Sequence, residues 1–229
     1  MYKGKLAREW IDWVEQADPA GGREKEIFPL IRSWLIEERP RVLVDVGCGQ
    51  GDCCRLVSPK IKYFGIEPSK ELLARAKKIY KHKNRQFLLG TAENIPLDSS
   101  SVDALMSIWV WSHLENLESA SAEIFRVLKP DGKFMIVTAN PDTYEERKMF
   151  YSSYEEFGGY LVGDFDLGGG KKLSNTTLYL HTREYMKKSV IGAGLTVDEI
   201  TTNGFKDVYP KGLNIVFRGG KKKSSKIVP

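Results

Sequence analysis

The chain has 229 residues, 41% of them hydrophobic, and a formal net charge of +5, which suits one globular domain with a full core. No stretch approaches the ~20 apolar residues of a membrane-spanning helix, and the first residues lack the apolar core of a secretion signal. Cys48, Cys53 and Cys54 crowd around one glycine turn; their odd number excludes a disulfide framework and no second Cys/His cluster completes a metal site, so they read as reduced thiols of a cytoplasmic protein.

In chain order, Leu6, Trp10, Trp13, Val14 and Ala17 share one helical face over residues 3–17. Residues 18–22 break that helix, and a second, over 23–38, carries Ile27, Leu30, Ile31, Trp34 and Leu35 and stops before Pro40. These helices of residues 1–41 are candidates for a lid. Val42, Leu43, Val44 and Val46 form a strand buried on both faces, followed by a helix near 51–57 and a second strand at 62–67. Ser69 is a natural cap for a helix to about 81 with Leu72, Leu73, Ala76 and Ile79 as its apolar face. Strands at 86–89 and 102–108 follow, then a helix at 117–128, and the Lys129–Gly132 turn launches a fifth strand, Lys133–Ala139. Five alternations of this kind predict an α/β fold with a parallel, doubly wound sheet. Periodicity fails from Asn140 to Thr177, where aromatics mix with charges; the segment 140–181 reads as an insertion over the active-site edge. A helix at 182–193, capped by Thr182 and ended by Gly194, precedes strands at about 195–201 and 213–217, one of them antiparallel. The single domain is thus 1–217. Residues 218–229, with Arg218, Lys221, Lys222, Lys223, Lys226 and no acid, carry the net charge and read as a disordered basic tail.

Residues 42–51, Val-Leu-Val-Asp-Val-Gly-Cys-Gly-Gln-Gly, hold the chemistry. A strand that breaks into Gly47, Gly49 and Gly51 lets a ligand lie against bare backbone amides. About 20 residues on, the second strand ends in Glu67, placed to accept hydrogen bonds from both hydroxyls of a ribose. A dinucleotide fingerprint would need a small residue at position 52, where this chain has Asp52. Asp45 beside the turn repels a pyrophosphate but suits a cofactor with an amine and a sulfonium. Arg23, after a glycine pair, could reach that cofactor's carboxylate; the alternative is a solvated charge at a helix start.

The stretch 42–139 resembles the class I S-adenosylmethionine-dependent methyltransferases of the small-molecule, ubiquinone- and menaquinone-biosynthesis kind. Asp45-Val46-Gly47-Cys48-Gly49 matches the glycine motif, Gly65-Ile66-Glu67-Pro68-Ser69 the acidic ribose motif, and Ala92-Glu93 with Ile95-Pro96 the adenine-contacting segment. Val102-Asp103 with Ser107 and His113 matches the fourth-strand motif, and Arg126–Gly132 the fifth, with Asp131 where the family has glycine and with Trp109 and Trp111 as further departures. The resemblance implies a Rossmann-like, mostly parallel seven-stranded sheet with one antiparallel strand near the C-terminus. It implies S-adenosyl-L-methionine as cofactor and S-adenosyl-L-homocysteine as product, bound by Arg23, Asp45, Gly47, Gly49, Gly51, Glu67, Pro68, Ala92, Glu93, Ser107, Ile108 and Trp109.

Transfer from a sulfonium needs no covalent nucleophile; a base helps only where the acceptor must lose a proton. His113 is the first candidate and His181 the second, the alternative for each being a neutral histidine hydrogen-bonded to backbone. The expected reaction is methylation at O, N or C of a small molecule by a monomer or homodimer. An RNA or protein methyltransferase docked by the tail is the rival enzyme, although the neutral body argues against nucleic acid; a cofactor-binding protein without turnover is the rival of another class.

Overall fold

A computed structural model describes residues 4–15, 22–168 and 170–222. The side chain of Trp13, Ala17 with the break at 18–21, and residues 223–229 lie outside the described residues. Among the described residues no helix is long and apolar enough to cross a membrane.

Five parallel strands form the centre: β1 (Val42–Val46), β2 (Lys62–Glu67), β3 (Arg85–Leu89), β4 (Val102–Ile108) and β5 (Leu128–Ala139). The C-terminal strands β9 (Leu195–Asn203) and β10 (Asn214–Lys221) extend the sheet to the order β3-β2-β1-β4-β5-β10-β9, with β10 antiparallel to both neighbours. This is the doubly wound, seven-stranded arrangement expected. Alternate side chains of each strand go to opposite faces. Leu43, Tyr63, Ala104, Met106 and Met135 meet helix α2 (Phe28–Glu38) and helix α3 (Lys70–Ile79). Val44, Ile66, Leu105, Phe134 and Ile136 meet α4 (Leu117–Val127) and α6 (Arg183–Gly192). Each such buried aliphatic side chain contributes about 1.5–3 kcal/mol.

Ser69 accepts from the Leu72 amide and Thr182 from the Tyr185 amide, so both predicted caps form. The differences lie where local chemistry overrides pattern. The helix near 51–57 is a single 3₁₀ turn, Asp52–Leu56, cut short before Pro59. Ile79 at the end of α3 is 43% exposed, so the apolar face stops at Ala76. A π-helical turn, Arg23–Ile27, precedes α2. Strand β5 pairs with β4 through Leu128, skips, and resumes at Lys133; Asp131 in the bulge has φ +63, the conformation that favours the family's glycine and that aspartate tolerates. Arg218 to Lys221 belong to β10, so the first four residues of the expected tail are part of the sheet.

The described part of residues 140–181 is largely strand, not irregular chain. After a short helix α5 (Tyr144–Lys148), β6 (Tyr151–Phe157), β7 (Tyr160–Gly168) and β8 (Lys171–Tyr179) form a separate antiparallel sheet. Helix α1 (Lys5–Glu15) packs on β8: Val14 buries against Leu167 and Leu173, and Glu9 accepts from the Ser174 amide and hydroxyl, both at 3.2 Å.

Asp103 in β4 holds the start of β1. Its carboxylate accepts from the amides of Arg41 (3.0 Å) and Val42 (2.8 Å) and from Lys129 Nζ (2.7 Å). Asp103→Ala is expected to destabilise the fold by about 2 kcal/mol, since it orphans two amides and an ammonium. Urea unfolding checks this; an unchanged midpoint would remove Asp103 from the framework.

Candidate active site

The strand order reverses between β1 and β4, and the cleft opens there at the carboxyl ends of the strands. It is a cavity of about 730 Å³. Gly47 leaves β1 at φ +75, where a Cβ would stand 2.2 Å from Val110 Cγ2, so any side chain would displace the turn after β4. Glu67, 4% exposed, accepts from the amides of Gly49 (3.0 Å) and Ser69 (2.9 Å), tying the glycine turn to the loop after β2. Burial raises its pKa, opposed by these two amides.

Asp45 lies deeper, 2% exposed, and accepts from Tyr63 Oη at 2.7 Å. Burial pushes its pKa up to about 7, the Tyr63 hydroxyl opposing and the Glu67 charge adding. Gln50 is also buried in the cleft, and its Oε1 has no hydrogen-bond partner among the described residues. The cationic side chain beside the turn, Arg23, pairs with Asp52 at 3.0 Å, which Arg55 also meets at 3.2 Å. Burial raises the Cys48 and Cys53 thiols well above the usual range and Cys54 to about 11, which disfavours the reactive thiolate.

The opposite wall is Ala92 and Glu93, and helix α4 fixes this segment. Glu123 accepts from the Ile95 amide at 2.7 Å, and Arg126 donates to the carbonyls of Ile95 and Leu97, both at 2.7 Å. Ile108 and Trp109 close the floor. Trp109 sits at φ +59, an uncommon conformation for an aromatic residue, held by its amide on Val137 O (2.7 Å) and its indole on Asn214 Oδ1 (3.1 Å).

A second cavity of about 580 Å³ lies between β8, α5 and the start of β10. Trp10, Trp109, His113 and Thr176 line both cavities. Ala139, Phe150, Tyr151, Phe165, Leu173 and Leu178 make the second one largely apolar. His113 ends the turn after β4 at this junction. Its Nδ1 lies 2.7 Å from the Thr177 carbonyl, which can only accept, so Nδ1 carries the proton and Nε2 the lone pair of the neutral ring. His113 is exposed and lines both cavities, and desolvation by the chain around it holds its pKa below the usual histidine value, the Thr177 contact opposing.

Arg23, Asp45, Gly47, Gly49, Glu67, Pro68, Ala92, Glu93, Ile108, Trp109 and His113 all line the cleft. Three expected residues do not. Gly51, at φ +85, turns toward Phe87 and donates its amide to Cys48 O (2.8 Å). Ser107 is 1% exposed inside the sheet, and its hydroxyl has no partner among the described residues. His181 sits behind the wall, its Nε2 2.7 Å from Leu114 O and its ring stacked on Tyr179, so the backbone-bonded alternative describes it. Trp111, 1% exposed, is core. Gln50 lies within the glycine turn but is not among the residues expected at the site, and no sequence signal marks Thr176, Arg147 or Asn214, which reach the cavities from distant segments.

The residues present fit a nucleoside carrying an amine and a sulfonium: two buried carboxylates, an unpartnered buried amide oxygen and a bare glycine turn, with the nearest guanidinium neutralised by Asp52. Among the described residues no His, Cys, Asp and Glu cluster could hold a metal.

Residues 44–136 match the family model described as a methyltransferase domain. Over 175 residues the chain is 27% identical to the demethylmenaquinone methyltransferase of Thermotoga maritima, covering 72% of this chain and 69% of that protein. It is 28% identical over 156 residues to a malonyl-[acyl-carrier protein] O-methyltransferase of Methylovorus sp., covering 63% of this chain and about half (53%) of that relative's length. The crystal structure of Streptomyces venezuelae DesVI superposes with a TM-score of 0.69 at 18% identity, over 96% of this chain and 100% of that one, which shows the shared fold.

Because Asp45 is protonated more readily in the fold than in the unfolded chain, its contribution to stability is full at low pH and is lost as pH rises from about 4 through about 7. Asp45→Asn is therefore expected to reduce the loss of unfolding free energy between pH 5 and pH 7.5. An unaltered difference in urea unfolding at the two pH values would show that Asp45 titrates normally.

Proposed function

We propose that the chain, whose residues 44–136 match the methyltransferase-domain model, is a class I S-adenosylmethionine-dependent methyltransferase like the relatives it resembles, and that it moves the methyl group from the first cavity to an O, N or C atom of a small acceptor seated in the second. The single observation that carries this reading is the pair of cavities meeting at Trp10, Trp109 and His113, one lined by carboxylates and bare glycine turn, the other by aromatic and aliphatic side chains. The three free thiols favour a reducing compartment such as the cytoplasm.

When bound, the cofactor supplies an electrophilic methyl group together with its own leaving group. The protein's work is to position and to exclude water. Glu67 is assigned to the ribose hydroxyls, Asp45 and Gln50 to the amine, and Ala92 and Glu93 to the adenine edge, with Pro68 and Ile108 as apolar walls. Arg23 stands over the turn to meet the carboxylate, at the cost of sharing Asp52. Trp10 on α1 closes the mouth between the cavities, as a lid would. His113 is assigned as general base: Nδ1 is fixed on Thr177 O, and Nε2 receives a proton from the acceptor if the reacting atom carries one.

Calorimetric titration with S-adenosylmethionine and S-adenosylhomocysteine, against NADH, tests the first half. Both sulfur nucleosides should bind at micromolar levels and NADH should not, with Glu67→Ala weakening both by about tenfold or more. Failure of both to bind the parent protein would overturn the assignment. His113→Ala should lower kcat by roughly 10²–10⁴-fold with cofactor affinity retained. The parent's rate should fall only as pH drops below the ordinary histidine range, because its pKa is depressed. An unchanged rate in the variant would leave His113 as a wall residue.

A further inference from the structure

The second cavity contains one feature its apolar wall does not explain. Arg147 projects into it from α5. Its Nη2 donates to the Leu213 carbonyl and to Asn214 Oδ1 (3.0 Å), while its Nε, fully shielded, has no hydrogen-bond partner among the described residues. No carboxylate among them pairs with it: Asp166, the carboxylate that lines this cavity, is exposed and does not pair with Arg147. Burial lowers the guanidinium pKa to about 10, Tyr144 and Tyr151 opposing, so the group remains a cation at neutral pH. A half-buried cation with its Nε shielded and no counter-ion among the described residues is costly, and chains retain one where a ligand supplies the anion. Around it stand Phe150, Tyr151, Phe165 and Leu173, with Tyr151 and Phe165 in edge contact at 5.2 Å.

We propose that the methyl acceptor carries a carboxylate or equivalent anionic oxygen group that Arg147 binds in this cavity, its aromatic or apolar body packing on the surrounding rings while its reacting atom points toward His113. The inference rests on the second cavity being the acceptor site. The planar fork of Arg147, already anchored on one nitrogen by Leu213 and Asn214, presents the geometry that carboxylates accept. Arg147 is therefore a specificity residue: it selects the acceptor by charge and has no part in the proton or methyl transfer.

The experiment is binding of benzoate, phenylacetate and 4-hydroxybenzoate, each beside its neutral amide, to the full chain saturated with S-adenosylhomocysteine. The acids should bind about tenfold or more tightly than their amides. Arg147→Gln should erase that difference while leaving S-adenosylhomocysteine affinity within about twofold. Should Arg147→Gln fail to fold, Asn214→Asp decides: it places a carboxylate on the guanidinium, keeps the acceptor for Trp109, and should erase the acid preference equally. Acids that bind no better than amides, or an acid preference that survives Asn214→Asp, would overturn the proposal. If S-adenosylhomocysteine does not bind the parent chain, the cofactor reading fails by itself, and the same titration on the free protein still tests Arg147.

Discussion

The cleft depends on one buried carboxylate. Glu67 is held by the amides of Gly49 and Ser69, which come from two different crossovers, so one side chain sets the distance between the glycine turn and the loop after β2. Its neighbour Asp45 faces the same low-dielectric space with a single hydroxyl for support. The Glu67 charge adds to the burial that raises the Asp45 pKa, a repulsion that a proton or a cationic ligand would relieve. An acidic cleft of this kind rejects phosphates and favours a nucleoside with positive charge. The preference follows from the absence of compensation, since Arg23, the guanidinium beside the turn, is already paired with Asp52.

Much of the scaffold was legible in the sequence because its signals are local. The β-branched run Val42–Val46, the caps Ser69 and Thr182, and the glycine turn act through neighbours a few residues away, and the structure realises them where they were expected. The insertion was not legible as a sheet. In β6 only Tyr151 is buried and the following six residues are exposed, so no period of two appears; its partner strands are held by cross-strand pairing at irregular registers. In the cleft, the residues of the glycine and ribose motifs could be named from the sequence, whereas Ser107 and His181 could not be separated from cavity residues: one strand position or one helix start decides whether a side chain faces a wall or a core. Arg126 shows the converse, a motif residue whose work is to hold Ile95 and Leu97 in place so that Ala92 and Glu93 form a wall.

The two cavities draw on different parts of the chain. The floor and acidic wall of the first come from β1, β2 and β4 and from the loops after them and after β3, within the segment that matches the methyltransferase domain, while α1, Arg23 and β8 cover it from outside that segment. The second is built mainly from α5, the β6–β8 sheet and the start of β10, outside that segment. Such a division lets one scaffold keep its cofactor chemistry while the acceptor wall changes.

The antiparallel strand is what joins the halves. Because β10 runs opposite to β5, its first residue, Asn214, pairs with Ala139, the last residue of β5, at the carboxyl edge where the cleft opens. A parallel strand in that place would present its end there and its start at the far edge. From this position the Asn214 amide oxygen accepts both from the Trp109 indole and from Arg147. One side chain thereby fixes the strained tryptophan that floors the first cavity and the guanidinium that lies in the second. A shift of β10 by one residue would turn Asn214 to the other face and release both groups. The register of the last strand in the chain therefore sets the geometry between the two cavities, more directly than any residue of the insertion that covers them.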